Sequence, residues 1–134
     1  MTSNSRKLLV VEDDPGLQTQ LKWCFEGYEV LIAGDRTAAL SELEKHRPPV
    51  ITLDLGLPPD SDGTSEGFQT LEDILTRYPN TKVIVVTGNN DRQNALRAVG
   101  VGAYDFFYKP IDADMLELIV NRAYRLYELE DENR

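Results

Sequence analysis

Glu12, Asp13, Asp54, Thr87 and Lys109 stand where short apolar runs of the chain give out. In an open parallel sheet the carboxyl ends of the strands face one crevice, and ligands bind there. Five such residues would therefore converge: three acids, a hydroxyl and a cation, a set that suits a divalent metal ion and a phosphoryl group. Glu12-Asp13-Asp14 directly follows Leu8-Leu9-Val10-Val11. Hard oxygen donors of this kind suit Mg²⁺, which takes one or two carboxylates plus phosphate oxygens and keeps several waters. Glu12 and Asp13 are read as metal ligands. Asp14, ahead of Pro15, is read as the cap of a helix. Asp54 ends Val50-Ile51-Thr52-Leu53. Its carboxylate can accept a phosphoryl group as an aspartyl phosphate, with a metal beside it offsetting the gathering negative charge; alone, it reads as a solvated acid opening a turn. Thr87 closes Val83 to Val86 and either donates to a phosphoryl oxygen or finishes a strand. Lys109, before Pro110, either pairs with the acids and then with phosphate or is an ordinary surface lysine. The conjunction is specific where no single member is.

The elements that must position these residues alternate. Leu8–Val11, Val30–Ile32, Val50–Leu53 and Val83–Val86 are continuous apolar runs, with a weaker fifth at Tyr104–Tyr108. Such runs read as strands buried on both faces, the condition of a parallel sheet. Amphipathic stretches separate them: Leu17, Leu21 and Phe25; Ala39, Leu40 and Leu43; Phe68, Leu71, Ile74 and Leu75; Ala95, Leu96 and Val99; and Met115, Leu116, Ile119, Ala123 and Leu126. The order is (βα)5, an α/β chain expected to form a doubly wound five-stranded parallel sheet with helices on both faces. Punctuation agrees. Asp14-Pro15 opens the first helix, Pro48-Pro49 stops the second, Tyr78-Pro79-Asn80 ends the third, Gly100 and Gly102 close the fourth, and Asp112 caps the fifth. The stretch 58–67 reads as a loop long for its place, either functional or a tolerated surface insertion. The fifth helix meets no Gly or Pro after Arg122 and is expected to run on exposed. Its Tyr124, Leu126, Tyr127 and Leu129 would either mediate a dimer or pack on the domain.

Composition narrows the field. The 134 residues carry a net charge of −9 with a pI near 4.5, which argues against a grip on nucleic acid or an anionic membrane. The single Cys24 excludes an intrachain disulfide, and with Leu21 and Phe25 it reads as a small packed residue. His46, expected just past the end of the second helix, is read as structural. No run reaches the ~18 apolar residues of a membrane span, and the short polar start lacks a signal-peptide core, so the expected compartment is the cytoplasm. A G-x-G-x-x-G turn after the first strand, a P-loop and a G-x-S-x-G elbow are all missing from the sequence.

Leu8 to Pro15, Asp54-Leu55-Gly56-Leu57-Pro58, Val85-Val86-Thr87-Gly88 and Lys109-Pro110 together resemble the response-regulator receiver domain, over nearly the whole chain. That resemblance implies a flavodoxin-like, CheY-like sheet of strand order 2-1-3-4-5. It implies Asp54 as phosphoacceptor, Mg²⁺ held by Glu12, Asp13, Asp54 and the backbone carbonyl of Gly56, and Thr87 and Lys109 on the phosphoryl group. Phe106 falls at the family's switch position, where Tyr is frequent, so it would signal by packing alone. The implied partner is a sensor histidine kinase, with no catalysis beyond self-phosphotransfer and autodephosphorylation. The implied output is transcriptional, through the face of the fourth helix, fifth strand and fifth helix, with a possible homodimer there. The long loop, Lys109 to Asp114 and the acidic run 129–133 are similar to sigma-54-dependent (NtrC-type) activators, within them those linked to PEP-CTERM and exopolysaccharide gene clusters. Residues 1–125 would be the receiver domain and 126–134 the start of a helical linker to output domains. Two other readings stay open: a receiver-fold dimerisation module that is never phosphorylated, and a hydrolase with an aspartyl intermediate. The hydrolase would want a second acid at position 56, where Gly stands.

Overall fold

The chain's apolar runs become strands and its amphipathic stretches become helices in strict alternation. The computed structural model describes residues 6–88 and 91–132. In order these form β1 (Arg6–Val11), α1 (Pro15–Cys24), β2 (Tyr28–Ala33), α2 (Arg36–His46), β3 (Val50–Asp54), α3 (Ser65–Arg77), β4 (Lys82–Thr87), α4 (Arg92–Val101), β5 (Asp105–Tyr108) and α5 (Ala113–Glu132). All strand pairs are parallel, and the sheet order is β2-β1-β3-β4-β5. The expected doubly wound, flavodoxin-like (βα)5 fold is the one observed.

Period-two alternation divides the core. Leu9, Val11, Ile51, Leu53, Val83 and Val85 face α2, α3 and α4. Leu8, Val10, Val50 and Ile84 face α1 and α5. Burial on both faces holds for β3 and for most of β1 and β4, but β2 and β5 are half-buried along most of their length. They are the sheet's edges, covered from fewer sides.

Several helix faces differ from those the sequence suggested. In α4 the buried residues are Ala95 and Ala98, while Leu96 and Val99 are exposed; small side chains bring that helix close to the sheet and turn its larger ones outward. In α5 the buried set is Leu116, Val120, Ala123 and Tyr124, with Met115 and Leu126 exposed. Tyr124 packs on the domain: its hydroxyl donates to the Lys7 carbonyl at 2.8 Å. Gly100 lies inside the last turn of α4, and the terminator is Gly102, whose φ of 132° is open to glycine. His46 is the last residue of α2, 3.6 Å from Glu42. The caps at Asp14 and Asp112 are as expected, accepting from the N–H groups of Gly16 and Met115.

The fifth helix is unbroken across the expected linker start at 126. Beyond that point Glu128 reaches Arg6 at 3.3 Å and Glu130 reaches Lys82 at 2.6 Å. Positions 133 and 134 lie outside the described residues.

Residues 65–67, expected as loop, are the first turn of α3. The Asp60 carboxylate accepts from the Ser65 hydroxyl at 2.7 Å and from its N–H at 3.4 Å. Gly67 lets this turn press on the strand end: a Cβ there would lie 2.4 Å from the Leu55 Cα. Backbone cannot yield as a side chain can. Gly67→Ala is therefore expected to destabilise the domain by about 2–3 kcal/mol, read as a lowered urea midpoint at unchanged m-value, whereas Gly27→Ala, which meets nothing within 4 Å, is expected to leave the midpoint near that of the parent.

Candidate functional site

Parallel register brings the five residues to one rim. Val11 pairs with Leu53, Asp54 with Val86, and Thr87 with Tyr108. The residues just past these pairs are Glu12 and Lys109, so β1, β3, β4 and β5 end within two residues of one another in register. Glu12, Asp13, Asp54, Thr87 and Lys109 line one cleft of about 400 Å³, together with Gly56, Gly88 and Asp91. Of the sequence-predicted site residues, Phe106 alone lies off the cleft lining. It sits within β5 beside Val85, packed on the core face that α4 covers, its ring 5.2 Å from that of Tyr108.

One carboxylate oxygen from each of Glu12, Asp13 and Asp54 falls within 4.8 Å of the others. Glu12 is 3% exposed and Asp54 7%, while Asp13 stands further out towards water. Asp54 Oδ1 accepts from the Gly56 N–H at 3.1 Å, and Asp54 Oδ2 lies 3.4 Å from Lys109 Nζ. The same ammonium lies 3.7 Å from Glu12 Oε1. Burial first, and the Asp54 charge second, push the Glu12 carboxyl up to about 8, with Lys109 pulling the other way. A cluster of hard oxygen donors short of positive charge, open to water on one side, fits a hydrated divalent cation.

The loop after β3 is part of this wall. Ser61, Asp62, Gly63 and Thr64 line the cleft, and the Ser61 carbonyl sits where a side chain at 56 would go, 2.8 Å from an added Cβ.

Thr87 is 4% exposed, and its hydroxyl donates to Asp91 Oδ2 at 3.2 Å. Sequence reading missed Asp91. The signal was present as an acid one turn after Thr87, at the mouth of the fourth helix.

Charge crowding here sets a stability balance. Above about pH 8, where the Glu12 carboxyl is also ionised, Asp54→Asn removes one of two adjacent buried charges and is expected to stabilise the metal-free protein by about 1 kcal/mol. Lys109→Ala, which strands both acids, is expected to destabilise it by a similar amount, about 1 kcal/mol, since Lys109 is partly solvated. Urea denaturation in the presence of a chelator checks both signs.

The chain is similar to known proteins over nearly its whole length. The response regulator receiver domain family matches residues 8–121. The nitrogen assimilation regulatory protein NtrX of Azorhizobium caulinodans is 33% identical over 129 residues, covering 95% of this chain and 28% of that protein. The regulatory protein AtoC of Escherichia coli is 30% identical over 136 residues, again with 28% of its length covered. The chain thus spans under a third of the length of these curated relatives. Among solved structures, the signal receiver domain of a putative LuxO repressor protein from Vibrio parahaemolyticus superposes with a TM-score of 0.87 at 30% identity, covering 97% of this chain and 98% of that one. The receiver domain of NtrX from Brucella abortus gives 0.80 at 30% identity, covering 87% and 96%. Receiver domains are signalling domains, generally non-enzymatic, that interact with sensor histidine kinases and bind Mg²⁺ at an acidic pocket. Among the described residues no helix is long and apolar enough to cross a membrane. By fold and by kinship this chain belongs to the response regulator receiver domains of two-component systems, and it resembles the N-terminal domains of NtrC-type regulators.

Proposed function

We propose that the domain is a phosphorylation switch in which Asp54 accepts a phosphoryl group from the phosphohistidine of a sensor histidine kinase. The observation that carries this is the Asp54 carboxylate itself, buried at a strand end, with an ammonium 3.4 Å away and two further carboxylates within 4.8 Å. An Asp54 oxygen forms a bond to phosphorus as the phosphorus–nitrogen bond of the donor breaks, and the imidazole leaves. The Gly56 N–H and Lys109 hold the carboxylate in place for that attack. Glu12, Asp13, Asp54 and the Gly56 carbonyl would hold Mg²⁺, which would supply positive charge to offset the negative charge gathering during transfer. Lys109 then balances charge on the new dianion, and Thr87 donates to one of its oxygens. Reversal by water would be the domain's only further reaction.

The output follows from where Thr87 and Phe106 lie. By strand alternation Thr87 shares the core face of Val85, against which Phe106 packs. A Thr87 side chain drawn to the phosphoryl group would vacate space that Phe106 fills by packing, biasing a two-state element. The edge strand β5 and its flanking helices then carry the signal. Leu96 and Val99 of α4 and Met115 and Leu118 of α5 are exposed, an apolar surface suited to a homodimer through the α4–β5–α5 face. In this reading residues 1–125 are the receiver unit and 126–134 begin a helical linker to transcriptional output domains. Kinship with sigma-54-dependent activators linked to PEP-CTERM and exopolysaccharide clusters, and a cytoplasmic setting, belong to the same proposal, as does the lack of any nucleic-acid contact by this acidic segment. The same apolar face also supports a second reading, a binding module that dimerises without phosphorylation.

Two measurements separate them. Incubated with Mg²⁺ and acetyl phosphate, the parent is expected to gain the mass of one phosphoryl group, Asp54→Asn to gain none, and chelation of Mg²⁺ to abolish the gain; uptake by Asp54→Asn equal to the parent's would remove Asp54 from the site. Small-angle scattering with and without beryllofluoride and Mg²⁺ is expected to show an increase in mass on activation. A dimer of unchanged mass in both states, together with no phosphoryl uptake, selects the second reading.

A further inference from the structure

Asp91 immediately precedes α4, the position where a short polar side chain ordinarily accepts from first-turn N–H groups. Its carboxylate makes no such bond. Instead Oδ2 accepts from the Thr87 hydroxyl at 3.2 Å, and Oδ1 accepts from Asn94 Nδ2 at 2.7 Å. The carboxylate is thus committed to two side chains, one at the end of β4 and one in the first turn of α4. A hydroxyl has a single proton to donate. While that proton lies on Asp91 it is not available to an oxygen on Asp54.

We propose that Asp91 is a positioning residue, a latch that holds the Thr87 hydroxyl in the unmodified domain, so that a phosphoryl group on Asp54 must win the proton from Asp91. The inference rests on the roles proposed above for Asp54 and Thr87. Asn94 braces the latch from the helix side, which couples the contest for one proton to the first turn of α4. Once released, the carboxylate is already at the capping position, and its free oxygen can accept from first-turn N–H groups. The exchange thereby offsets part of what breaking the Thr87 contact costs, and it changes what α4 is fastened to. Thr87 leaves one partner as it gains another, so the site and the helix cannot both keep their resting contacts.

The test compares the parent, Asp91→Ala, Thr87→Val and the double variant for binding of beryllofluoride in the presence of Mg²⁺. If the latch leaves about one molecule in ten competent, removing it tightens apparent binding by up to tenfold, so Asp91→Ala is expected to bind roughly five- to tenfold more tightly than the parent. Asn94→Ala, which keeps the charge and removes the brace, is expected to shift binding the same way by less. In the Thr87→Val background, Asp91→Ala is expected to change nothing. Equal tightening in both backgrounds would mean that a negative charge near an anion site had simply been deleted, and would overturn the latch. A second readout needs neither metal nor beryllofluoride: side-chain scalar couplings of Thr87 in the metal-free protein are expected to report one staggered rotamer in the parent and averaging in Asp91→Ala. Averaging already present in the parent overturns the proposal. A fixed Thr87 rotamer in a parent that binds no beryllofluoride would instead sink the phosphoacceptor reading, and the switching role of Asp91 with it, while leaving the contact itself intact.

Discussion

Two carboxylates, Glu12 and Asp54, lie almost wholly out of water beside each other, and one ammonium, that of Lys109, is shared between them. Left to themselves, like charges in such a place separate, take up protons or draw in counter-charge. What prevents separation is the sheet. Glu12 is the first residue past β1 and Asp54 the last of β3, and those strands are hydrogen-bonded in register with Val11 opposite Leu53. Behind them the core is closed: Leu9, Val10, Ile51 and Leu53 are fully buried. The packing that holds the strands therefore also holds the acids together, and the unrelieved charge makes the site receptive to a cation.

Much of this arrangement is legible in the sequence because it follows from order and period. Unbroken apolar runs gave the central strands, and a polar residue at the end of each gave the rim. Parallel topology then did the rest, since strands that all run one way end on one side. The edges were less legible. Val30 and Phe106 read as members of buried runs, but their exposure depends on having a neighbour on one side only, which no local pattern records. Helix faces failed for a related reason. Leu96 and Val99 look like part of the core stripe of α4, yet the sheet accepts Ala95 and Ala98, a choice that depends on how closely helix and sheet approach and that the helix pattern alone does not record.

Tyr124 and the loop after Asp54 illustrate two further limits. A tyrosine among charges near the end of a helix reads equally as surface or as core; its partner is the Lys7 carbonyl, more than a hundred positions away. The loop's composition announced a turn, yet its closure against Gly56 and the capping of Ser65 by Asp60 depend on three-dimensional proximity. Asp91 was hidden differently. An acid before a helix has so ordinary a local explanation, as a cap, that its four-residue spacing from Thr87 does not single it out.

One strand joins the two ends of the molecule. β4 finishes at Thr87 on the acidic rim and begins at Lys82, whose ammonium grips Glu130 near the far end of α5. Arg6, at the start of β1, grips Glu128 alongside. The six residues of β4 thus set the acidic rim and the Lys82–Glu130 ion pair at opposite ends of one strand, and β1 places the Arg6–Glu128 pair beside the latter. Those couplings are partly bathed in solvent, so dissolved ions weaken them while leaving the buried acids largely unscreened. Rising ionic strength is accordingly expected to loosen the hold on the last helix well before it reaches the acids of the rim.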